Sequence, residues 1–498
     1  MEKRPVCVVS VDIGTSSVRA CLFSIDLSNI HHRQLPILLE TDVTGRAEQD
    51  FEKIHSAVCQ CISDVIEWAD ANQYSTEAIC FSNAVSSLVC LDSNFNPVRP
   101  VLTYADLRAR DQAETLKKDF SIDVFRETAC PVHASYWLPK FKWLKNEGFN
   151  YSKSNYFCTI KDLIVFKLTG QFITDFSNAV ATGMCNTVSG EWDEQLLALA
   201  EISSNQLPRI MPTTAIILHE KNDSTDSLHI PDNMKIVLGA TDGVLSSLGA
   251  GAYKPGQVTT MIGSSGACRI AAESPLIHQS NTVTWSYPLD ENVWIRGGAM
   301  NSGGLVTQWL VENFFHGKPS SDEEAFEEML NLASSINPCS DGLLFLPYIF
   351  GERAPIWDEN ARGVFFGIHG SHQLGNFARA AIEGILFALY SIYEIITSDY
   401  DRDITVRATG GYLRSELMVQ IQTDIFNIPV GVPSNYEGSS IGAAILALKA
   451  LRLINSYDEI SEFIKVKKVY KPNEKRAQIY KEQFRKFKEI YRQLKPLY

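Results

Sequence analysis

Two segments of the chain, about 250 residues apart, share one local pattern that limits how the chain can fold. Residues 9–17 align without gaps on residues 258–266. Each copy is an apolar strand, a turn with one Gly and several hydroxyl side chains, and a second strand. This repeat predicts a duplicated fold with a cleft between its two halves. Short hydroxyl-rich turns also recur by chance, so two unrelated turns are the alternative.

The rest of the chain alternates helical and strand-like patterns, which is typical of the α/β class. Apolar residues at helical spacing predict a helix over residues 51–69. Short apolar runs predict strands over residues 6–11, 18–23, 78–81 and 87–91.

The repeat also sets the expected domain boundaries, because no low-complexity linker divides the chain. We expect an N-terminal domain over residues 1–252 and a C-terminal domain over residues 253–450. Residues 451–498 would form a helical extension with one aromatic face from Tyr480 to Leu494. We expect this face to pack on the body of the protein; the alternative is a basic helix that contacts nucleic acid or a partner.

Composition excludes some classes of function. Lys and Arg total 45 against 58 Asp and Glu, a net charge of −13, which argues against a protein that binds nucleic acid or an anionic membrane. No apolar run reaches the roughly 18 residues of a membrane span, and the first apolar stretch meets Asp12 too early for a signal peptide. The eleven cysteines include no CxxC pair, so we expect reduced, buried thiols in a cytoplasmic protein.

Several common catalytic motifs do not occur in the sequence. GxxxxGK[ST], GxGxxG after a strand and HExxH are all missing. These absences argue against a P-loop kinase, a dinucleotide-dependent dehydrogenase and a zinc hydrolase.

The two hydroxyl-rich turns are candidate phosphate cradles. Gly lets backbone N–H groups approach an anion, and Ser and Thr hydroxyls add uncharged donors. The first copy carries Asp12 where the second carries Met261. A carboxylate beside such a turn suggests a Mg²⁺ ion held through water; the alternative is a turn Asp that caps its own backbone. Arg19 would then reach a phosphate or merely flank its strand.

Asp242 follows an apolar strand that begins near Ile236, at a turn predicted to start a helix. The carboxyl ends of strands are where α/β clefts place reactive groups, so Asp242 is a candidate general base. As a helix cap it would need no further function.

Gly410 and Gly411 follow another strand. Adjacent glycines allow close contact with a flat ring or with phosphates. Residues 437–444 are predicted to form a tight helix start packed beside that loop.

Two motifs resemble the signatures of the FGGY family of carbohydrate kinases, in the actin-like ATPase superfamily. Residues 363–368, followed after seven residues by 376–383, fit the family's C-terminal signature. Residues 140–147 match the core of its N-terminal signature, although Trp137 stands where the family usually has a small residue or Pro. The resemblance implies a two-domain, duplicated actin-like (ribonuclease H-like) ATPase fold with an interdomain cleft.

The resemblance also implies individual roles. The ATP-binding residues would be Thr15, Ser16, Ser17, Arg19, Ser264, Gly304, Gln308, Gly410 and Gly411. Asp12 would face Mg²⁺, and Asp242 would be the catalytic base. The substrate would be contacted by Asn83, Asp106, Arg108, His133, Thr241 and Asp242.

The sugar is the least determined part of the resemblance. Residues 239–243 and 351–357 look most like the family members that phosphorylate gluconate, whereas residues 84–86 depart from their sugar loop. A gluconate carboxylate would need a cationic or donor partner, for which Arg108 and His133 are candidates. A neutral ketose such as xylulose, or another pentulose or polyol, is the alternative within the family.

The expected partners are therefore a small sugar or sugar acid and MgATP. A homodimer is one oligomeric state that the sequence allows. Two alternatives are of another kind. One is an actin-like ATPase scaffold without sugar kinase activity, and the other is a kinase fold that has lost its activity.

Overall fold

The computed structural model describes residues 4–152, 155–221, 229–275, 282–315, 322–400, 402–434 and 438–498. The chain divides into two units. The first comprises Met1–Tyr253, Ala272–Ile295 and Glu437–Ile464, and the second comprises Lys254–Ala271, Arg296–Tyr436 and Lys465–Tyr498. The contiguous segments expected from the sequence (1–252, 253–450 and 451–498) differ from these units, because the chain returns twice to the first unit.

The elements up to residue 253 include the predicted hairpin and the predicted helix. The strands are β1 (Val6–Ile13), β2 (Ser17–Ser24), β3 (Asn29–Pro36), β4 (Glu40–Thr41), β5 (Ala47–Gln49), β6 (Ser75–Asn83), β7 (Val89–Leu91), β8 (Val101–Leu102), β9 (Tyr156–Cys158), β10 (Ile173–Asp175), β11 (Arg209–Met211), β12 (Ile216–Leu218) and β13 (Lys235–Thr241). The helices are α1 (Phe51–Ala71), α2 (Arg110–Thr128), α3 (Trp137–Asn146), α4 (Ile160–Thr169), α5 (Phe176–Ala181), α6 (Glu194–Ala200) and α7 (Asp242–Gly249).

The elements after residue 253 begin with the second predicted hairpin. The strands are β14 (Gln257–Ile262), β15 (Gly266–Ala272), β16 (Trp285–Pro288), β17 (Trp294–Met300), β18 (Leu344–Leu346), β19 (Val364–Phe366), β20 (Thr405–Thr409), β21 (Val430–Pro433) and β22 (Val466–Tyr470). The helices are α8 (Gly304–Phe314), α9 (Asp322–Ser334), α10 (Leu374–Thr397), α11 (Glu416–Phe426), α12 (Gly438–Ala450) and α13 (Glu474–Leu494). Short 3-10 helices cover Ser204–Gln206, Pro338–Gly342, Gly411–Arg414, Tyr457–Glu462 and Lys495–Leu497.

The main sheet of the first unit has the strand order β12-β13-β6-β1-β2-β3. β1 pairs antiparallel with β2 and parallel with β6, and β6 pairs parallel with β13. The central strands β1 and β13 are mostly apolar, as expected of strands with both faces buried. Helix α1 packs its apolar face on this sheet, and its N-cap Asp50 accepts the backbone N–H groups of Glu52 and Lys53.

The sheet of the second unit repeats this arrangement. Its order includes β17-β15-β14-β20-β21-β22, with an antiparallel hairpin β14–β15, parallel pairs β14–β20 and β20–β21, and an antiparallel edge strand β22. The first unit has the same series of a hairpin, two parallel strands and an antiparallel edge strand. The duplicated α/β fold predicted from the repeat is therefore confirmed.

Helix α10 forms the centre of the second unit's core. By length and composition it could cross a membrane, but 78% of its most apolar window is buried in the protein. The aromatic face of α13 packs against it through Tyr480, Phe484 and Phe487. Buried Glu383 on α10 accepts hydrogen bonds from Arg379 (2.7 Å) and from Tyr480 (2.8 Å). The predicted packing of the C-terminal helix is confirmed.

All eleven cysteines are free and buried, as the sequence predicts. Burial raises the pKa of Cys80 and of Cys90 to about 12, so both are neutral thiols at neutral pH. They act as small apolar side chains of the first unit's core.

Helices α7 and α12 of the first unit approach so closely that only glycine fits between them. A Cβ on Gly249 would lie 1.9 Å from the carbonyl oxygen of Gly438, and a Cβ on Gly442 would lie 1.9 Å from that of Leu245. The predicted helix start at residues 437–444 is present from Gly438 onward, and residue 437 lies outside the described residues. In the structure it packs on α7 and β1 of the first unit.

We expect Gly442→Ala to destabilise the first unit by about 3 kcal/mol, because the new methyl group would overlap a backbone carbonyl. Calorimetry should show a lower melting temperature. Gly370→Ala is the matched control, since a Cβ there meets no atom within 4 Å. Equal melting temperatures for the two variants would contradict this helix contact.

Candidate active site

The carboxyl ends of three parallel strands meet at one edge of the first unit's sheet. Asp12 on β1 lies opposite Ser82 on β6, and Thr241 on β13 lies opposite Asn83 on β6. Asp242 follows directly. Residues predicted from separate segments of the sequence are thus brought to the edge where α/β proteins bind ligands.

Asp12 is half-buried, and hydroxyl groups hold both of its carboxylate oxygens. Oδ1 accepts a hydrogen bond from Ser82 Oγ (2.6 Å), and Oδ2 accepts one from Ser439 Oγ (2.9 Å). Ser439 lies in the first turn of α12, 427 residues along the chain. Sequence reasoning missed both partners, because neither serine belongs to a motif with Asp12.

The surroundings of Asp12 fit a magnesium ion only if most of its ligands are water and phosphate. Among the described residues, no group of three or more His, Cys, Asp or Glu side chains could hold a metal ion. Mg²⁺ is commonly bound by one or two carboxylates together with water and nucleotide phosphates. One carboxylate, held by two hydroxyls beside a Gly turn, meets that requirement.

The first hydroxyl-rich turn is held by its backbone. Gly14 N–H donates to Ser17 O (3.0 Å), and the side chain of Gln49 donates to Thr15 O (2.9 Å). Ser16 is exposed, while Thr15 and Ser17 are half-buried. Because the backbone carbonyls already have partners, the turn can present N–H groups and hydroxyls to an anion.

Arg19 lies next to this turn but is tied to a neighbouring strand. Its guanidinium donates to Gln34 Oε1 on β3 at 3.0 and 2.8 Å, and Gln34 Nε2 donates to Ser17 Oγ at 3.0 Å. Arg19 and Ser17 therefore belong to one network through Gln34. No sequence pattern indicated this link, because β3 has no recognisable motif.

Asp242 is the first residue of α7, at the end of the buried strand β13. Its carboxylate is half-buried and accepts the N–H of Gly243 (2.6 Å). The N-terminus of a helix favours negative charge, which suits an ionised base. The predicted strand, turn and helix are confirmed. Thr241 occupies the N-cap position but makes no side-chain cap hydrogen bond.

Asn83 belongs to a buried polar network behind the sheet edge. Its side-chain amide exchanges two hydrogen bonds of 2.9 Å with that of Asn178. Asn178 also donates to Asp175 (2.7 Å), and Asp175 forms a fully buried ion pair with Lys161. This network fixes the end of β6, and only Asn83 had been singled out from the sequence.

Arg108 is held by two carboxylates. It donates to Asp106 (2.6 Å) and Glu48 (2.5 Å), and its guanidinium lies 4.5 Å from the ring centre of Trp143. Partial burial lowers the pKa of Arg108, but the hydrogen bonds to Asp106 and Glu48 raise it, and the net shift is upward. Its charge is therefore already balanced, which weakens the prediction that it binds a substrate carboxylate.

His133, the other candidate partner of a substrate carboxylate, lies in the same unit. The N–H of Ser135 donates to His133 Nδ1 (3.2 Å), which places the proton of a neutral imidazole on Nε2.

Two tyrosines form an aromatic pair in this unit: the hydroxyls of Tyr136 and Tyr287 are 2.9 Å apart. Burial raises the pKa of Tyr287 well above its ordinary value, and the charge of Asp242 adds to that rise. Tyr287 lies on a segment whose return to the first unit no sequence pattern indicated.

The second hydroxyl-rich turn is held by backbone contacts within the second unit. Gly304 N–H donates to Gly263 O (2.7 Å), and Leu305 N–H donates to the carbonyl oxygen of Ser264 (3.0 Å). Gly410 has a φ of +100°, and a Cβ there would lie 2.4 Å from Ile262 O. A Cβ on Gly304 would lie 2.6 Å from Gly263 O, so close backbone approach requires glycine at both 304 and 410.

A pocket of about 180 Å³ opens beside this turn. A Cβ on Gly411 would meet no atom within 4 Å, so this glycine leaves space in the pocket. Gln308 lies one turn further along α8, is exposed and donates to Glu312 (2.8 Å). The lining residues are Ile262, Gly263, Gly303, Gly304, Thr307, Phe326, Ile385, Gly411, Tyr412 and Met418. An apolar pocket with glycine walls suits a flat ring.

Glu352 fixes the loop that leads into this pocket. It is 2% exposed, and its carboxylate accepts the N–H groups of Asn301 (2.5 Å), Arg353 (2.8 Å) and Ser302 (3.2 Å). Burial raises the pKa of Glu352, against the effect of these hydrogen bonds. The sequence showed residues 351–357 only as a resemblance and assigned Glu352 no role.

Comparison with known proteins shows which family the chain belongs to. The N-terminal domain of the FGGY family of carbohydrate kinases matches residues 7–249, and its C-terminal domain matches residues 259–451. The chain belongs to the FGGY family of carbohydrate kinases. As the resemblance implied, ATP is the phosphoryl donor in this family.

Relatives of this FGGY kinase carry two different substrate names. The gluconokinase of Bacillus subtilis (strain 168) is 35% identical over 464 residues, which is 92% of this chain and 90% of the relative. The xylulose kinase of Staphylococcus epidermidis is 28% identical over 497 residues, which is 98% of this chain and 97% of the relative.

Solved structures confirm the predicted two-domain, actin-like fold of the FGGY kinase. The gluconate kinase from Lactobacillus acidophilus superposes with a TM-score of 0.92 at 33% identity, covering 98% of both chains. The ligand-bound xylulose kinase from the same organism gives the same values. Similarity of the whole fold therefore does not separate the two substrates.

We expect Glu352→Gln to weaken ATP binding roughly tenfold, because the amide replaces an acceptor of loop N–H groups with a donor. Isothermal titration calorimetry with a non-hydrolysable ATP analogue measures this loss. Glu482→Gln, at an exposed position of the same unit, is the control. Unchanged nucleotide affinity in Glu352→Gln would contradict the role of this carboxylate in shaping the loop.

Proposed function

We propose that this FGGY kinase transfers the γ-phosphoryl group of ATP to a hydroxyl of D-gluconate, with Asp242 as the general base. The observation that carries the proposal is the position of Asp242, half-buried at the start of α7 on the sheet edge that also holds Asp12. The greater identity to gluconokinase (35%) than to xylulose kinase (28%) supports gluconate as the acceptor.

In the proposed reaction, the acceptor oxygen forms a bond to the γ-phosphorus while the bond from that phosphorus to the ADP oxygen breaks. Asp242 takes the proton that the acceptor hydroxyl loses. Since such transition states are loose, positioning and electrostatics supply most of the catalysis. The donors of the Thr15–Ser17 turn would hold phosphate oxygens, and the pocket beside Gly411 would hold the adenine ring. Mg²⁺ would neutralise phosphate charge beside Asp12, through water.

Recognition of the gluconate carboxylate needs a donor. Of the two candidates we favour His133, because Asp106 and Glu48 already balance the charge of Arg108. The same observation supports xylulose as the second candidate, since a neutral ketose needs no cationic partner. We also propose that the kinase works in the cytoplasm, where its eleven reduced thiols would be stable.

A substrate screen tests the proposal. Purified protein is incubated with MgATP and a panel of aldonates, pentuloses, hexuloses and polyols, and ADP release is measured. We expect D-gluconate to give the highest kcat/KM. A higher value for xylulose would support the second candidate, and no acceptor-dependent ADP release would contradict the assignment as a working sugar kinase.

We expect Asp242→Asn to lower kcat at least about 10³-fold, because the amide cannot accept the proton. ATP affinity should change less than about twofold, since the carboxylate acts on the acceptor. Coupled assay and calorimetry give the two quantities, with the exposed Asp232→Asn as the control. Near-normal turnover in Asp242→Asn would remove Asp242 from its role.

A further inference from the structure

Lys140 on α3 is buried to an unusual degree for a lysine. Its side chain is 1% exposed, whereas lysines in proteins are almost never fully buried without partners. Its ammonium group donates to the carbonyl oxygens of Thr103 (2.7 Å), Ser135 (2.9 Å) and Ser86 (3.4 Å). An ammonium has three N–H donors, so each can serve one carbonyl.

These carbonyls belong to three separate loops of the first unit. Each lies within three residues of a predicted substrate position: Ser86 follows Asn83, Thr103 precedes Asp106, and Ser135 follows His133. The carbonyl oxygen of Thr103 also accepts the N–H of Asp106 (3.2 Å), so Lys140 and Asp106 share an acceptor. One buried cation therefore joins the loops that carry the candidate sugar contacts.

We propose that Lys140 is a positioning residue for the acceptor sugar, which holds these three loops in register. This inference rests on the proposed function. If position 140 only filled space in the core, an apolar side chain would be more stable there. Burying an ammonium group is costly, and apolar replacements of buried charges are often neutral or stabilising. Burial lowers the pKa of Lys140 to about 7, which reflects that cost. The buried ammonium group of Lys140 is explained if the three loops need a common hydrogen-bond donor.

The test is Lys140→Met, which keeps the aliphatic stem and removes all three donors. We expect KM for the sugar that the wild type phosphorylates to rise at least roughly tenfold, because small misplacements of binding groups are costly. KM for ATP should change less than about twofold. Hydrogen exchange measured by mass spectrometry should quicken at residues 84–87, 103–107 and 133–136.

Two controls separate positioning from general destabilisation. Leu144→Ala removes a fully buried side chain from the same helix, and Lys145→Met removes an exposed charge from it. Leu144→Ala should lower the melting temperature without changing the KM for sugar, and Lys145→Met should change neither. If Lys140→Met does not fold, Lys140→Gln takes its place.

The outcomes are distinguishable. A rise in the KM for sugar no larger than that of Leu144→Ala, or an equal rise in the KM for ATP, would overturn the role of Lys140. A wild type that phosphorylates no acceptor would instead contradict the proposed function. In that case the exchange measurement alone decides whether Lys140 joins the loops.

Discussion

The contact between α7 and α12 is the interaction on which the first unit's site depends. Helix α7 begins with Asp242, and α12 carries Ser439, which donates to Asp12. Because the backbones touch at Gly249 and Gly442, no side chain can adjust between the helices, and they have one possible register. These two glycine contacts therefore position the start of α7, with Asp242, relative to Ser439, which holds Asp12.

The two copies of the hairpin have different surroundings. The first carries Asp12, supported by the hydroxyls of Ser82 and Ser439, and lies on a sheet edge with a second carboxylate. The second carries Met261 and is supported by backbone contacts to Gly304 beside an apolar pocket. This division suits proton transfer and metal contact in the first unit, and binding of a nucleotide ring in the second.

Local patterns predicted the local parts of this site. The two hairpins, the strand that delivers Asp242 and the glycines at 410 and 411 all follow from periodicity and turn chemistry over a few residues. Ser439 and Tyr287 could not be predicted, because their positions depend on the chain returning to the first unit over hundreds of residues. The pairing of Arg108 with Glu48 was missed because Glu48 lies 60 residues earlier in the chain, on β5.

The most direct measurement of the central claim is a crystal structure with gluconate and a non-hydrolysable ATP analogue. The distance that matters joins the carboxylate of Asp242 to the acceptor oxygen of the sugar. We expect about 2.6–3.2 Å, the range in which a general base takes a proton. Gluconate bound with no hydroxyl near Asp242 would contradict the claim that this carboxylate is the base.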